Sequence, residues 1–160
     1  MKRLIGIVLT VSLLSAVGDG AAPNLNEEQW KRFYARYTGR WQLNPAKSLY
    51  FKGKAPQVGN IITYTAQPDG KSVKYMDDAL HVLDGRENPM STKPNEAGTV
   101  ARNVLDEFTV ANPNREHGRI TAMSTHVLSP DGDARVHVRM SVDEHGKWTI
   151  DSVMYFERMK

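Results

Sequence analysis

Turn-forming sequences recur along most of this chain, and they constrain its fold more than any other feature. Combinations of proline, aspartate, asparagine, glutamate, histidine and glycine occur at 68–70, 84–85, 112–114, 130–132 and 144–146. The segments between them are short and rich in valine, isoleucine, threonine and tyrosine. Strands at this spacing, with no helical periodicity between them, are typical of an antiparallel sandwich or barrel. We therefore expect an all-β domain over residues 39–160, with loops near 51–58 and 87–98.

The first twenty residues have the three regions of a secretory signal peptide. Lys2 and Arg3 form a basic start, residues 4–17 are uncharged and mostly apolar, and small residues follow. An apolar run of this length spans only about 21 Å as a helix, less than the ~30 Å hydrocarbon core of a bilayer. We expect residues 1–20 to be a signal peptide that directs the protein to the periplasm or outside the cell. We expect no membrane insertion of the mature chain, and no lipid-modified cysteine, because the chain has no cysteine.

Composition excludes several classes of protein. Without cysteine, an exported domain depends on its core rather than on disulfides, and about 140 mature residues can bury such a core. The formal net charge is +3, and the lysines and arginines are scattered. Nucleic-acid binding needs a basic patch or stripe, so we expect none. The five histidines show no metal-ligand spacing, so we expect no metal and no cofactor.

A short amphipathic helix is expected over residues 27–37, within an N-terminal segment at 21–38. Asn26 can accept from the first free N–H groups, and Gln29 can reach back as in a capping box. Four aromatic residues follow at helical spacing and share one face: Trp30, Phe33, Tyr34 and Tyr37. Such a face could bind a partner, but packing on its own domain is the simpler explanation, so we expect this helix to cap the barrel.

The hairpin turns predict which strand residues share a face. A three-residue loop at 130–132 would set Ser129 opposite Asp133, and the next turn would set Asp143 opposite Lys147. Facing pairs lie on the same side of a sheet. The expected inner face carries Ile120, Ala122, Ser124, His126, Leu128, Ala134, Val136, Val138, Met140, Val142, Trp148, Ile150, Ser152, Met154 and Phe156. The expected outer face carries Thr121, Thr125, Arg135, His137 and Arg139.

This inner face includes polar groups among apolar ones. Pairing Val110 with Ile120 in the preceding hairpin would put Asp106 opposite Ser124, with His126 next along the strand. Ligand sites combine apolar walls with a few polar groups, so we expect a pocket in which His126 or Ser124 holds a ligand carboxylate or hydroxyl. The candidate ligand-binding residues are His126, Ser124, Asp106, Phe108, Met140, Trp148, Ser152, Met154 and Phe156.

Two other interpretations of these residues stay open. Asp106, Ser124 and His126 could form a hydrolase site if they converged, although the chain lacks a G-x-S-x-G elbow. Alternatively, the polar groups could hydrogen-bond one another inside a filled barrel, which would then act as a protein-interaction module of the cell envelope. A cavity would favour ligand binding, whereas a packed interior with an exposed apolar patch would favour the interaction module.

The junction between the helix and the first strand carries a family resemblance. Gly39, Arg40 and Trp41 open the first strand, and Arg158 follows the last one. With the run of strands between them, this resembles the lipocalin-like (calycin) barrels, in which the tryptophan of a G-x-W motif closes one barrel end and an arginine packs across it. The resemblance implies these closure roles for Gly39, Trp41 and Arg158, with the guanidinium stacked on the indole.

Three further segments narrow the resemblance: W-Q-L-N-P-A-K-S from Trp41, the V-L-S-P-D-G turn and the terminal Y-F-E-R. They resemble a group of small exported bacterial lipocalin-like proteins with no assigned activity. We therefore expect an antiparallel up-and-down lipocalin-like barrel that binds, without catalysis, a small and largely apolar ligand. The sequence does not specify an oligomeric state.

Overall fold

The computed structural model describes residues 25–53, 60–76, 79–89 and 98–160. The predicted signal peptide at 1–20 lies outside the described residues, as does most of the predicted loop at 87–98. In the described part there is one α-helix, α1 (Glu27–Tyr37), and a twelve-stranded antiparallel sheet. The strands are β1 (Gly39–Leu43), β2 (Leu49–Tyr50), β3 (Ile61–Ala66), β4 (Ser72–Tyr75), β5 (Ala79–Val82), β6 (Asn88–Pro89), β7 (Thr99–Val100), β8 (Asn103–Val104), β9 (Thr109–Glu116), β10 (Arg119–Leu128), β11 (Ala134–Val142) and β12 (Trp148–Arg158).

The strands form a nearly closed antiparallel barrel. Their order is β5-β4-β3-β1-β12-β11-β10-β9-β7-β6, with β2 paired to β12 and β8 paired to β9. The first strand lies between β3 and the last strand, so the two ends of the domain are hydrogen-bonded within one sheet. The predicted antiparallel β-fold is thus confirmed, and the barrel is compatible with a calycin-like fold.

Helix α1 begins at the predicted capping box. The Asn26 side chain accepts from the Gln29 N–H at 2.9 Å, and the Gln29 side chain accepts from the Asn26 N–H at 2.9 Å. These bonds satisfy N–H groups that have no partner within the helix. Phe33 and Tyr37 are buried and belong to the hydrophobic core, together with Trp41.

The contacts of α1 place it across one end of the barrel. Trp30 donates through Nε1 to a carbonyl of the β3–β4 turn at 2.7 Å. Arg32 makes two 2.8 Å hydrogen bonds to Glu107, in the turn before β9. Arg36 donates to the Pro130 carbonyl, in the β10–β11 turn, at 3.1 Å. Because neighbouring strands alternate in direction, these three turns lie at the same end, which the helix covers.

The predicted contact between Arg158 and Trp41 is present at this end. The Arg158 guanidinium carbon lies 4.4 Å from the centroid of the fully buried indole. Gly39 has a φ of 121°, and a Cβ at this position would lie 2.5 Å from Arg158 Nη1. The guanidinium also donates to three backbone carbonyls, those of Arg36, Thr38 and Gly132. Arg158 therefore joins the end of the helix, the first strand and the β10–β11 turn.

The β10–β11 hairpin differs from the prediction by one residue. The Ser129 N–H donates to the Ala134 carbonyl at 2.9 Å, which leaves a four-residue loop rather than a three-residue one. The Asp131 carboxylate holds this longer loop, because it accepts from the Ser129 hydroxyl at 2.5 Å and from the Asp133 N–H at 3.0 Å. The hydrogen bonds that this carboxylate accepts thus stabilise a four-residue loop in place of the three-residue turn expected from the proline and glycine.

The extra loop residue turns the other face of β11 inward. His137 lies opposite His126, and Arg135 lies opposite Leu128. The prediction for Ser124, His126 and Leu128 on β10 therefore holds, whereas the prediction for β11 is wrong. The residues moved to the outer face are Val136, Val138 and Met140, and those moved to the inner face are Arg135, His137 and Arg139.

The β11–β12 hairpin follows the prediction only near its turn. Val142 pairs with Trp148 and Met140 pairs with Ile150, as expected. A bulge then shifts the register by one residue, so that Arg139 pairs with Ser152. An extra residue in one strand of a pair has this effect. The bulge keeps the second half of β12 facing inward, where Ser152, Met154 and Phe156 were predicted.

Strand β9 contains the segment 112–114, which was predicted to be a turn. The hairpin instead turns at His117 and Gly118, which both have positive φ, as a two-residue type I′ turn requires. Pro113 is tolerated because it lies beside the interruption between β7 and β8, where no N–H donation from β9 is needed.

Candidate functional site

A cavity of about 220 Å³ lies inside the barrel beneath α1. We call it the central cavity. It is lined by residues from the helix, from β3 to β5, from β7 and from β9 to β11, together with the short connection between β7 and β8. The lining residues are Tyr37, Tyr64, Tyr75, His81, Val100, Arg102, Asn112, Asn114, Ser124, His126 and His137. None of these described lining residues is acidic.

Tyrosine and histidine rings form a continuous layer along the central cavity. The ring centroids of Tyr37 and Tyr64 are 4.8 Å apart, and those of Tyr64 and Tyr75 are 5.2 Å apart. Tyr75 stacks on His81 at 5.2 Å with 14° between the rings. On the other side, Tyr37 stacks on His126 at 6.1 Å and 15°. Such rings present flat apolar faces and polar edges, which suit a planar ligand with a few polar groups.

Arg135 is a fully buried cation behind this layer. Its guanidinium carbon lies 4.3 Å from the ring centroid of Tyr64, 4.8 Å from that of Tyr37 and 5.7 Å from that of Trp41. These cation–π contacts offset part of its loss of hydration. Nη2 donates to Nδ1 of His126, while Nε and Nη1 have no hydrogen-bond partner among the described residues.

Arg102 is a second buried cation, and it lines the central cavity directly. It lies between β7 and β8, and its side chain has no carboxylate partner in the described part of the chain. Burial lowers its pKa, but an arginine remains protonated at neutral pH. Buried cations are normally paired with an acidic group because removing a charge from water is costly. The central cavity therefore has a positive potential.

The three cavity histidines are held in their neutral form. Burial, and then the positive charge of a nearby arginine, lowers the pKa of His81 and His137 to about 3. The same two causes hold the pKa of His126 well below its usual value. The rings of His126 and His137 meet edge to face, with centroids 4.2 Å apart. Each neutral imidazole keeps one donor and one acceptor nitrogen.

Arg135 determines which nitrogen of His126 carries the hydrogen. A guanidinium can only donate, so Nδ1 must accept and Nε2 must be protonated. Nε2 lies 3.5 Å from Nδ2 of Asn112, which is also a donor, so these two groups do not hydrogen-bond to each other, and the Tyr37 hydroxyl lies 3.5 Å from Nδ1. Oδ1 of Asn112 and Nε2 of His137 are buried without a partner in the described part. The wall thus holds several polar groups whose hydrogen-bonding capacity is not used.

The structure brings together part of the predicted site. Ser124 and His126 line the central cavity. Ser152 and Met154 line a second cavity of about 360 Å³ nearer the open end of the barrel. Phe156 belongs to the hydrophobic core beside Trp41. A third cavity of about 230 Å³ shares Asn114, Ser124 and His137 with the central cavity and Arg139 with the second, so it lies between them along β9 to β12.

Other predicted site residues lie elsewhere. Asp106 is exposed in the turn before β9, where its carboxylate accepts from the Phe108 N–H at 2.7 Å. Phe108 packs under the guanidinium of Arg36 at the helix-covered end. Met140 lies on the outer face because of the extra residue in the β10–β11 loop, and Trp148 lies there because it pairs with Val142 on the turn side of the bulge.

The arrangement that a hydrolase would need is therefore not formed. Ser124 pairs with Asn112 rather than with Asp106, and the Asn112 amide donates to the Ser124 hydroxyl at 3.3 Å. No acid lies beside His126 in the described part of the chain, since its Nδ1 receives a hydrogen from Arg135. The sequence had suggested Asp106 only through a hairpin register that the structure does not have.

Sequence reasoning missed most of the cavity lining. The alternation R-V-H-V-R on β11 was recognised, but the predicted register was off by one residue. The prediction therefore placed Arg135, His137 and Arg139 on the outer face. Tyr64, Tyr75 and His81 come from strands for which no register was predicted, although the turn at 68–70 joins the first two of those strands. Arg102 had no distinguishing signal, because a single arginine in a short segment is usually exposed.

No protein-family model matches the chain, and no curated protein matches it. Within the described ranges, no group of three or more histidine or acidic side chains is placed to hold a metal ion. In the same residues, no helix is both long enough and apolar enough to cross a membrane.

Proposed function

We propose that this protein is a non-enzymatic binding protein that holds a small molecule inside its β-barrel. The observation that carries the proposal is the central cavity, with a volume of about 220 Å³ and a lining of rings and polar groups. This volume corresponds to roughly seven waters at ~30 Å³ each. It is below the range of about 300–1,000 Å³ for drug-sized ligands, so the expected ligand is compact, such as a molecule with one ring.

The ligand is more polar than the largely apolar molecule expected from the sequence. Among the described lining residues, Val100 is the only aliphatic one, and the rest are tyrosine, histidine, asparagine, serine and arginine. The amides of Asn112 and Asn114, the Ser124 hydroxyl and the imidazoles on the lining include both donors and acceptors. They favour a ligand that carries both kinds of group.

We further propose that the barrel is lipocalin-like. Gly39, Arg40 and Trp41 open β1, and Arg158 packs across Trp41 at the covered end. In this proposal the aromatic face of α1 closes that end, and a ligand enters from the opposite one. The N-terminal segment at 1–20 would export the protein, so that it meets its ligand in the periplasm or outside the cell. N-terminal sequencing of exported protein, beginning after Gly18 or Gly20, would test this.

A protein-interaction module is the second candidate. Leu49 and Phe51, on and just after β2, are 58% and 61% exposed, and large apolar groups at such exposure often mark contact surfaces. This candidate does not account for the buried cations and the cavity, so we rank it second.

A titration followed by ¹H–¹⁵N NMR tests ligand binding. We would add benzamide, benzyl alcohol and benzoate to the folded protein, and expect saturable shifts at Tyr64, His81 and Ser124. Ser124→Phe fills the central cavity and should abolish these shifts. Val127→Phe places the same ring on the outer face of the same strand and should leave them unchanged. Absence of binding, or binding that persists in Ser124→Phe, would contradict the proposal and direct attention to Leu49 and Phe51.

A further inference from the structure

We infer that the central cavity recognises an organic anion, which Arg102 contacts and which Arg135 favours indirectly through His126. The inference rests on the proposed function, because it names the class of ligand that the cavity binds. The anion is inferred from the charge of the residues around the cavity, whereas ligand binding is inferred from the volume of the cavity.

The acidic side chains of the described residues lie away from the two buried arginines. Carboxylates in the described residues pair with cations at the surface, as Glu107 does with Arg32 and Asp151 with Lys52. The two buried guanidinium groups, Arg102 and Arg135, have no such partner among those residues. A buried charge that lacks a partner destabilises a protein, so this arrangement calls for a compensating group. A ligand anion in the central cavity would supply it.

Arg102 lines the central cavity and is 8% exposed. The planar fork of N–H groups in arginine matches the paired oxygens of a carboxylate or a phosphate. Arg102 is therefore the contact residue. Asn112, Asn114 and Ser124 lie on the same lining and offer neutral hydrogen bonds to other polar groups of the ligand.

Arg135 is fully buried and does not line the cavity. Its hydrogen bond to Nδ1 of His126 places a hydrogen on Nε2, so that this imidazole presents a donor at the cavity wall. Its charge also adds to the positive potential of the cavity. Arg135 is thus a positioning residue, acting through His126 and through its electrostatic field.

The remaining space defines the rest of the ligand. The stacked rings of Tyr75 with His81 and of Tyr37 with His126 all line the cavity. A single aromatic ring or a short apolar chain packs well against such faces. The ligand class is therefore a compact carboxylate, phosphate ester or sulfonate with one small apolar part.

Isothermal titration calorimetry with matched pairs of compounds tests the ligand class. The pairs are benzoate with benzamide, phenyl phosphate with phenol, and benzenesulfonate with benzenesulfonamide, with inorganic phosphate as a separate arm. We expect at least one anion to bind roughly tenfold or more tightly than its neutral counterpart, because charge-assisted hydrogen bonds are the stronger ones. Preference among the three anions identifies the headgroup, and tight binding of inorganic phosphate alone would show that the apolar part is not required.

The outcomes separate this inference from the proposed function. Equal binding of the neutral and anionic members of every pair would overturn the inference and leave the small-molecule site intact. If no compound of either kind binds to the folded protein, both proposals are contradicted.

Variants test the roles of the arginines. Arg102→Gln should reduce benzoate affinity tenfold or more, leave benzamide affinity unchanged and increase the stability of the ligand-free protein, because an unpaired buried charge is removed. Arg119→Gln makes the same change of charge at an exposed position and should change neither the benzoate affinity nor the stability. Lower stability in Arg102→Gln with an unchanged ratio of benzoate to benzamide affinity would indicate a structural role and would contradict the inference.

Arg135→Lys tests the positioning role, since it keeps the charge but loses the guanidinium fork. We expect ¹⁵N chemical shifts of His126 to show a mixture of tautomers, together with a smaller preference for benzoate over benzamide. An unchanged tautomer and an unchanged preference would remove Arg135 from the inference. If this variant does not fold, Arg102→Gln still decides the main question.

Discussion

At the scale of single residues, Gly39 has the most restricted position. Its φ of 121° is unfavourable for residues with a Cβ, and the Arg158 guanidinium occupies the space beside it. At this junction between the helix and the first strand, both the positive φ and the close approach of Arg158 require a residue without a side chain. They explain why a glycine stands two residues before the buried Trp41.

Gly39→Ala should lower the free energy of unfolding by about 2–4 kcal/mol, because it combines backbone strain with displacement of Arg158. Gly118→Ala is the control, since Gly118 also has positive φ (76°) but open space around it, and it should lose only about 1 kcal/mol. Urea unfolding of both variants measures the difference. Equal losses would show that the contact with Arg158 contributes nothing.

At the scale of elements, the helix and the loops are held by different interactions. Helix α1 is capped by Asn26 but attached to the barrel by buried rings and by Arg32 and Arg36. Strand β11 carries Arg135 and His137 on its inner face because the β10–β11 loop has four residues rather than the predicted three. Local bonds thus define the ends of elements, and packing defines where they lie.

For the helix, Phe33→Ala should lower the free energy of unfolding by about 3–5 kcal/mol, since the ring is fully buried in the core. Asn26→Ala should lower it by about 1 kcal/mol, because only a cap is lost. Chemical unfolding followed by circular dichroism compares the two. If Phe33→Ala had the smaller effect, docking of the helix on the barrel would not be a major source of stability.

For the β10–β11 loop, Asp131→Ala removes the acceptor for the Ser129 hydroxyl and the Asp133 N–H. We expect a loss of about 1–2 kcal/mol in the free energy of unfolding. Asp133→Ala, at an exposed neighbouring position, serves as the matched control and should change stability by less than about 0.5 kcal/mol. A larger loss in the control would mean that the Asp131 carboxylate does not hold the loop.

At the scale of the whole molecule, the buried His126 and the half-buried His81 and His137 make stability depend on pH. The folded pKa of His81 and of His137 is about 3, and that of His126 is also lowered, whereas unfolded histidine titrates near ~6.5. The described groups that face them are Arg102, Arg135, Arg139 and other rings, with no carboxylate among the lining residues. Below pH ~6.5 the unfolded chain therefore binds more protons than the folded one.

We expect full stability above pH ~6.5 and a progressive loss as the pH falls towards 3, with a slope of up to about 1.4 kcal/mol per pH unit for each histidine. Urea unfolding between pH 4 and 8 measures this slope. His137→Gln should reduce it, and His145→Gln, in an exposed turn, should not. A flat profile over this range would show that the histidines are not buried in the neutral form.

Features encoded by neighbouring residues could be predicted from the sequence. The capping box at Asn26, the β-structure after Arg40 and the inward face of β10 all depend on residues within one element or one turn. The contact of Arg158 with Trp41 was predicted from a resemblance, since no local pattern joins residues at opposite ends of the chain. The second half of β12 faces inward as predicted only because a bulge restores its orientation.

The sequence by itself determined that this chain forms antiparallel strands with a capped helix, because turn chemistry, alternation and capping act over a few residues. Only the tertiary structure decided that Arg135 and His137 face inward and that Arg102 joins them across the barrel. The physical reason is that the period of a strand is two, so one extra loop residue or one bulge exchanges its faces. Which face is buried then depends on contacts such as those of Arg135 with Tyr37 and Tyr64, which come from distant parts of the chain.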